Sequence, residues 1–417
     1  MMSSTLSTLL DRQTPGHSLT REFYTDPSLY ESDLETIHYR QWLFAVPACQ
    51  LEKPGQYVTY QVGRYPILIV RGADGLIRAF HNVCRHRGAV LCEKAQGSAP
   101  KLVCPYHQWT YELDGTLLYA RDMGEDFERG EHGLMPVHCR DVAGLVFVCL
   151  AAQAPPFDDF ERQARRYLAP HSLQEAKLAH ATAIVEHGNW KLVLENNREC
   201  YHCPAKHPEL CRTYFEVPET IGKRESQEQD PETEAHWARC EAIGAPSRFL
   251  IDPAGSWRFV RMPLLRDSES YTMSGKAAVA RPLGRFPFRD AGSLLMFNYP
   301  TMWSHFLADH TVLFRVTPIS PTTSEVCTFW LVHREAQQGR DYDVDTLTHV
   351  WTHTNAEDRA LVEATQRGVE SPAYTPGRCS PVHEAGVLQF LQWYTDTLRA
   401  GPASRAGIRI VPEAIAS

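Results

Sequence analysis

The sequence predicts an α+β protein built of two domains, and three observations support this fold class. Between residues 50 and 150, polar and apolar residues alternate in short runs rich in Val, Ile, Tyr and Phe, with Asp-Gly turns between them, which is typical of antiparallel strands. Two consecutive prolines, Pro155 and Pro156, then mark a boundary. Beyond them helical and strand patterns mix, and 417 residues are long for a single hydrophobic core.

The order of elements follows from the same patterns. Near the start, Leu29, Leu34, Ile37 and Trp42 indicate a short helix that leads into a domain. We therefore predict three parts: a helical segment packing on the last domain (1–45), a β-domain (46–155) and a larger mixed domain (156–417). Within the larger domain we expect an exposed charged insertion over 218–245, a strand meander over 293–335, a long helix over 341–370 and a final helix over 386–400.

Composition excludes several classes of partner. A net charge of −8 argues against binding to nucleic acid or to an anionic membrane. No apolar run reaches the length of about 18 residues that a transmembrane helix needs, and the start of the chain lacks the pattern of a signal peptide. Twelve cysteines, several beside histidines, are too sparse for a disulfide scaffold and suggest metal chemistry. We expect a cytoplasmic protein.

A first metal site is predicted in the β-domain. Cys84 and His86 form a Cys-x-His pair, and Cys104 and His107 form a Cys-x-x-His pair seventeen residues further on. Turn formers flank both pairs, so each can sit at the tip of a hairpin. The four donors fit either a structural zinc ion or a [2Fe–2S] cluster held by two thiolates and two imidazoles. One thiolate and one imidazole per loop favour the cluster, and the spacing matches the Rieske pattern.

A second metal site is predicted in the stretch NNRECYHCPAKHP. A helix that precedes the stretch is expected to run into it, and Glu199 and His202, three residues apart, would share one helical face. Pro204 would kink or end this helix and let the rings of His202 and His207 converge. Two imidazoles and one carboxylate on one side of a ferrous ion form a facial triad, which leaves positions open for dioxygen.

Asp358 is the predicted carboxylate of this triad. It lies on the inward face of the helix predicted over 341–370, where a buried carboxylate is costly unless a metal or an arginine compensates it. A salt bridge to an arginine is therefore the alternative. The other residues of that face are Trp351, Thr354, Leu361, Val362 and Thr365. We expect Glu357 and Glu363 to point elsewhere as solvated charges.

Three further residues in the stretch have predicted roles. Glu199 is expected to accept a hydrogen bond from the ring of His202. Its other oxygen would then be available to the Rieske ligand His107 of a neighbouring domain. Cys200 and Cys203 could form a Cys-x-x-Cys zinc site with His207, but no second cysteine pair stands at a suitable spacing, so we expect them to be small core residues.

These motifs together resemble the large subunit of Rieske non-haem iron oxygenases over nearly the whole chain. The resemblance rests on CRH…CPYH, on NNRECYHCPAKHP and on the AEDR helix. It implies a Rieske β-domain and a catalytic domain in which a twisted antiparallel sheet wraps around helices, the helix-grip type. It also implies a head-to-tail ring, usually a homotrimer, in which electrons pass from the cluster of one subunit through Glu199 to the mononuclear iron of the next.

A narrower resemblance points to the substrate. LVLENNRECYHC, WLVHREAQQGRDYDV and SPAYTPG are similar to the quaternary-ammonium branch, with stachydrine demethylase and glycine betaine demethylase the nearest types, although Ala364, Arg378 and Cys379 depart from that pattern. Aromatic faces hold a methylated ammonium group, which cannot donate a hydrogen bond. Candidates, each of which could instead be a core aromatic, are Tyr214, Trp257, Phe259, Tyr271, Trp303 and Phe306.

The predicted function is oxygen-dependent N-demethylation of a small betaine with release of formaldehyde. Stachydrine (proline betaine) is the first candidate, and glycine betaine or an aromatic ring is the alternative. Electrons would come from NADH through a separate flavin and iron–sulfur reductase, because no Gly-x-Gly-x-x-Gly fingerprint follows a strand in this chain. A protein of a different class, an electron carrier with a Rieske cluster and no catalytic iron, would contain two irons per chain instead of three.

Overall fold

The computed structural model describes residues 4–214 and 231–401, and the chain divides into two compact units. The first, which we call the β unit, comprises residues 38–157. The second, the sheet–helix unit, combines the chain up to residue 37 with residues 158–401. The described residues form antiparallel sheets and helices, so the predicted α+β class is confirmed. The domain boundaries predicted at residues 45 and 155 stay predictions.

Antiparallel strands form the β unit. Its larger sheet has the order β1-β10-β9-β4-β3-β2-β5, and a second sheet has the order β6-β7-β8. The strands are β1 Leu43–Pro47, β2 Gln56–Val62, β3 Tyr65–Arg71, β4 Ile77–His81, β5 Gln96–Ser98, β6 Leu102–Val103, β7 Thr110–Tyr111, β8 Leu117–Tyr119, β9 Pro136–Val142 and β10 Leu145–Cys149.

The predicted Asp-Gly turns explain how these strands connect. Gly75 follows β3 and Gly115 follows β7, with φ angles of +83° and +91° that side chains rarely adopt. At Gly115 a Cβ atom would also lie 2.5 Å from the ring of Phe80, so only glycine fits there. The carboxylate of Asp114 accepts the Thr116 backbone N–H at 3.0 Å and closes the turn.

The described part of the sheet–helix unit contains one antiparallel sheet in the order β11-β17-β16-β15-β14-β13-β12. Its strands are β11 Ala176–Glu186, β12 Leu250–Ile251, β13 Trp257–Met262, β14 Ser293–Asn298, β15 Met302–Phe306, β16 Thr311–Ser320 and β17 Thr323–His333. Its helices are α1 Ser4–Asp11, α2 Glu22–Thr25, α3 Pro27–Asp33, α4 Asp158–Leu168, α5 Trp190–Asn197, α6 Cys203–Lys206, α7 Pro231–Glu241, α8 Val344–Glu370 and α9 Ala385–Ala400.

Helix α5 lies at the centre of this unit, and a buried polar network holds it. Lys191 Nζ lies 2.5 Å from Asp33 Oδ2, and both side chains are almost completely buried. The indole N–H of Trp190 donates to the same oxygen at 3.1 Å, and Tyr394 in α9 donates to Asp33 Oδ1 at 2.7 Å. Because every member has a partner, the network fixes α5 against α3 and α9. The stretch that carries the predicted iron ligands therefore starts from a rigid support.

Most predicted elements of the larger domain are confirmed. Strands β14 to β17 form the meander, and α8 and α9 are the two predicted helices. Two expectations were wrong. Residues 231–241 of the expected exposed insertion form α7, whose Trp237 and Cys240 are buried, while residues 215–230 lie outside the described part of the chain. Thr365 is exposed, and Gln366 takes the inward position instead, four residues after the buried Val362 on the same face of α8.

Candidate metal centres

Two loops of identical backbone design carry the first set of predicted ligands. In each loop the cysteine N–H donates to the carbonyl five residues later, and the cysteine carbonyl accepts the N–H four residues later. The bonds are Cys84 to Ala89 (2.8 Å) and Gly88 to Cys84 (3.0 Å) in one loop, and Cys104 to Trp109 (2.8 Å) and Gln108 to Cys104 (3.0 Å) in the other. Both loops therefore present their donors in the same way.

The four predicted donors come together at the loop tips. Cys84 and Cys104 are buried, whereas the rings of His86 and His107 lie nearer the surface with their Nδ1 atoms 3.1 Å apart. Burial raises the pKa of the Cys104 thiol, and the backbone N–H groups of Tyr106 and His107 partly offset this effect. Two buried sulfurs behind two imidazoles match the donor set of a cluster with one thiolate-bound and one imidazole-bound iron.

Three aromatic residues that sequence reasoning missed support this arrangement. Trp109 stacks on His86 with ring centroids 4.8 Å apart, and Tyr106 stacks on His107 at 3.8 Å. The hydroxyl of Tyr111 accepts the Arg85 backbone N–H at 3.0 Å, which leaves its proton free to point at Cys84 Sγ, 3.4 Å away. A hydrogen bond to a ligand sulfur is one of the interactions that set a cluster's potential.

The second set of predicted ligands lies at the two ends of the short helix α6. His202 precedes the helix and His207 follows it, so that the ring centroids are 4.9 Å apart. The predicted convergence of the two rings is therefore present, but its expected cause was wrong. Pro204 lies in the first turn of α6, where its missing N–H costs nothing, so it starts a helix and does not end one. Glu199 and His202 lie in the turn between α5 and α6 and not on one helical face.

Asp358 of α8 completes this set of donors. Its Oδ1 lies 3.3 Å from His202 Nε2 and 3.0 Å from His207 Nε2. His207 Nε2 and Asp358 Oδ1 are buried and lie close together, but they are not aligned as a hydrogen bond and have no other hydrogen-bond partner among the described residues. Buried polar atoms without a partner are costly, and a divalent metal bound to all three residues would satisfy them. The donor set of two imidazoles and one carboxylate fits non-haem iron.

A second carboxylate holds each histidine from the far side of its ring. His202 Nδ1–H donates to Glu199 Oε1 at 2.5 Å, as predicted. His207 Nδ1–H donates to Glu357 Oε2 at 2.8 Å, so the expectation that Glu357 is a solvated charge was wrong. Its neighbour Asp358 faces the other nitrogen of the same ring, since consecutive residues of α8 reach both edges of His207. Both Nε2 lone pairs are thereby directed at one point.

Charges concentrate strongly at this point. Burial alone lowers the pKa of His202, but the carboxylates of Asp358 and Glu199 outweigh burial and raise the pKa to about 9. Burial also lowers the pKa of His207, but the carboxylates of Asp358 and Glu357 outweigh it and raise that pKa. The two histidines in turn lower the pKa of Asp358 against the effect of burial. Without a metal the site therefore holds protons, which a divalent cation displaces when it binds.

Cys200 and Cys203 were expected to be separate small core residues, and the structure corrects this expectation. They form a disulfide, because the turn between α5 and α6 brings their Cα atoms to 4.9 Å. Both line the same pocket as His202 and Asp358.

That pocket extends from the metal donors to a wall of aromatic rings, all within the sheet–helix unit. Trp351 and Asp358 are seven residues apart on one face of α8, roughly 10 Å along its axis. The ring of Trp351 lies 4.4 Å from that of His305, and Trp303 and Tyr214 line the same space. Of the other aromatic candidates, Tyr271 packs behind this wall, and Trp257, Phe259 and Phe306 are core residues that do not line the pocket.

Arg258 adds a positive charge to the pocket lining. Its side chain is buried, and burial together with the charge of Arg198 lowers its pKa to about 9, which leaves the guanidinium charged at neutral pH. Burial and the nearby charge of Arg258 lower the pKa of His305 to about 3, so this ring is neutral. Neither residue was predicted from the sequence.

Two family models match the chain. Residues 41–136 match the Rieske [2Fe-2S] domain, and residues 173–400 match the ring hydroxylating alpha subunit (catalytic domain). Among the described residues, none of the helices is long and apolar enough to cross a membrane.

Several known proteins are similar over most of the chain. The glycine betaine monooxygenase oxygenase subunits of Chromohalobacter salexigens and Pseudomonas aeruginosa are 46% and 44% identical, covering 93% and 91% of this chain and 87% and 89% of their own. The carnitine monooxygenase oxygenase subunit of Acinetobacter pittii is 27% identical over 88% of this chain and 91% of its own. A solved quaternary ammonium Rieske monooxygenase shares the fold, with a TM-score of 0.71 at 22% identity over 93% and 97% of the two chains.

The family accounts for both metal centres, since its members combine a Rieske [2Fe–2S] cluster with a mononuclear non-haem iron and receive electrons from a separate reductase. The chain therefore belongs to the Rieske non-haem iron oxygenases, as the oxygenase subunit of a monooxygenase.

Proposed function

We propose that this oxygenase subunit N-demethylates glycine betaine. Two relatives at 44–46% identity are named for glycine betaine, which was the alternative to stachydrine in the sequence analysis. The observation that carries the proposal is the pocket itself, whose lining joins the predicted iron donors, an aromatic wall and a buried guanidinium. These three parts correspond to the reacting methyl group, the ammonium and the carboxylate of a small betaine.

The aromatic wall suits the cationic end of such a substrate. A quaternary ammonium has no N–H to donate, so the faces of Trp303, Trp351 and Tyr214 would hold it. The neutral ring of His305 adds no charge that would repel it. Arg258 would bind the carboxylate, because a carboxylate relieves the repulsion between the buried charges of Arg258 and Arg198.

The chemistry assigns a role to each predicted residue. His202, His207 and Asp358 would hold iron, while Glu199 and Glu357 would orient the two rings. Bound iron would activate dioxygen with two electrons and two protons, giving a hydroxylated methyl group and water. The carbinolamine then loses formaldehyde and a proton, and dimethylglycine remains.

Electron supply completes the proposal. Cys84, His86, Cys104 and His107 would hold the Rieske cluster, filled from NADH by a flavin and iron–sulfur reductase. In a homotrimeric ring the cluster of one subunit would feed the next subunit's iron through Glu199, whose Oε1 already contacts His202. Exposed Tyr106 and Val103 flank the cluster ligands and offer an apolar surface on which an electron-transfer partner would dock. We further propose the domain boundaries predicted above and a cytoplasmic location.

A substrate panel tests the proposal. The purified protein with a surrogate reductase and NADH is assayed for formaldehyde with glycine betaine, stachydrine, carnitine and an aromatic acid. We expect glycine betaine to give the highest kcat/KM, with dimethylglycine and formaldehyde formed in equal amounts. Arg258→Gln should raise KM for glycine betaine far more than Arg239→Gln, which changes a surface arginine. Higher kcat/KM with stachydrine would return the assignment to that betaine, and no formaldehyde from any betaine would refute it.

A further inference from the structure

The disulfide between Cys200 and Cys203 closes a short loop that contains His202, one of the two predicted histidine ligands of iron. The other ten cysteines of the chain, all within the described residues, form no disulfide, so this disulfide is not part of a general scaffold. Cys203 is buried and Cys200 is partly exposed, and both line the pocket that contains the predicted iron donors. A small oxidant or reductant in the pocket would therefore meet this pair.

Stabilisation of the fold explains the disulfide poorly. It closes a loop of four residues, the short extreme at which a crosslink removes least entropy from the unfolded chain. The turn also has its own backbone hydrogen bond, from Cys203 N–H to Cys200 C=O at 3.2 Å, and α6 begins at Cys203. The turn would keep its shape if the sulfurs were separate thiols.

The redox state of the pair changes the donors around the metal position. Cys203 Sγ and nitrogen atoms of His202 and His207 all lie within 4.8 Å of one another. As part of a disulfide, this sulfur carries no charge and is a poor ligand, so the site offers two imidazoles and the carboxylate of Asp358, a set that suits Fe(II). As a thiolate, Cys203 would add a soft ligand that favours zinc. A given site also generally binds Zn²⁺ more tightly than Fe²⁺.

We propose that the Cys200/Cys203 pair is a thiol–disulfide site that selects the metal bound by His202 and His207. The disulfide keeps Cys203 away from the metal and preserves an iron site, whereas the dithiol form binds zinc and is inactive. Oxidation by hydrogen peroxide takes two protons and two electrons from the thiols and yields the disulfide and two water molecules. A dithiol reductant reverses this by exchange. The inference rests on the proposal that these two histidines hold the catalytic iron.

Two equally conservative substitutions should have opposite effects. Cys203→Ser removes the soft ligand and should fix the site in its iron-preferring form. Cys200→Ser leaves Cys203 as a permanent thiol and should fix the zinc-preferring form. Cys211→Ser, which changes a neighbouring cysteine outside the pair, is the matched control and should behave as the unchanged protein.

The experiment measures metal content rather than turnover. Holoprotein treated with hydrogen peroxide or with dithiothreitol is alkylated, and mass spectrometry shows whether Cys200 and Cys203 are paired. Each form is then equilibrated without oxygen against equal Fe²⁺ and Zn²⁺, and both metals are counted, with acid-labile sulfide giving the cluster iron. We expect reduction to raise the ratio of zinc to mononuclear iron by at least about tenfold in the unchanged protein and in Cys211→Ser. The ratio should not respond to reduction in the other two variants.

Two results would overturn the inference. If the ratio changes by less than twofold on reduction while mononuclear iron stays bound, the pair does not select the metal, and the proposed function is untouched. If the oxidised protein, offered Fe²⁺ alone without oxygen, binds no mononuclear iron at all, the assignment of His202 and His207 as iron ligands fails, and the inference fails with it.

Discussion

Glu357 offers a direct test of how the histidine ligands are held, because its side chain contacts His207 and is not itself a predicted ligand. The His207 Nδ1–H donates to Glu357 Oε2 at 2.8 Å, while Nε2 of the same ring lies 3.0 Å from Asp358 Oδ1. Glu357→Gln keeps the size of the side chain but removes the charge that fixes the ring's orientation and its tautomer. Loss of such a carboxylate weakens metal binding by about 10- to 100-fold, or roughly 1.4–2.7 kcal/mol.

The assay is competition for Fe²⁺ between the protein and a chromogenic chelator under anaerobic conditions. Glu363→Gln is the matched control, since Glu363 lies on the same helix but accepts the His187 backbone N–H and pairs with Arg359. The control should bind iron as tightly as the unchanged protein. If Glu357→Gln also binds iron within twofold of the control, the carboxylate does not support His207, and the reasoning is refuted.

Three further predictions concern stability and the cluster. Asp33→Ala leaves Lys191 charged and buried, which should lower the free energy of unfolding by about 3–5 kcal/mol; an effect under 1 kcal/mol in urea denaturation would contradict the network around α5. Burial lowers the pKa of His236 to about 4 from its usual 6.5. The free energy of unfolding that the neutral His236 contributes is therefore fully present above pH 6.5 and is lost as the pH falls towards 4. At pH 5 this loss is about 2 kcal/mol. Between pH 7 and pH 5, the free energy of unfolding should therefore fall less in His236→Gln than in the unchanged protein, and equal falls in the two proteins would refute the lowered pKa. Tyr111→Phe removes the hydroxyl beside Cys84 and should lower the cluster potential by roughly 40 mV, equivalent to one hydrogen bond of about 1 kcal/mol, and an unchanged potential in a redox titration would exclude that bond.

The donors of both centres were predictable because their chemistry is rare in sequence. A sequence seldom contains two cysteine–histidine pairs in which the residues are two or three positions apart. Asp358 could be found because it shares a helical face with Trp351. The structure brings each predicted set together, although the ligand roles themselves stay predictions. The convergence of His202 and His207 was predicted, but from a helix that Pro204 would interrupt. Pro204 instead lies in the first turn of α6, because a proline can begin a helix as well as interrupt one.

The residues that escaped prediction depend on tertiary contacts. Glu357 lies about 100° around α8 from Asp358, so periodicity assigned it to solvent, and only the position of the His207 ring brings it into contact. Arg258 and His305 lie on strands in which every residue is buried, so alternation gives no sign of which side chains line a cavity. The disulfide between Cys200 and Cys203 depends on a turn that the sequence had suggested was helix.

Iron content per chain tests the central claim most directly, namely that His202, His207 and Asp358 hold an iron separate from the Rieske cluster. With two cluster irons and one mononuclear iron, the reconstituted protein should contain about three irons for two acid-labile sulfides. Asp358→Ala should contain about two, with the visible absorption of the cluster unchanged. Two irons in the unchanged protein, or three in Asp358→Ala, would contradict the account.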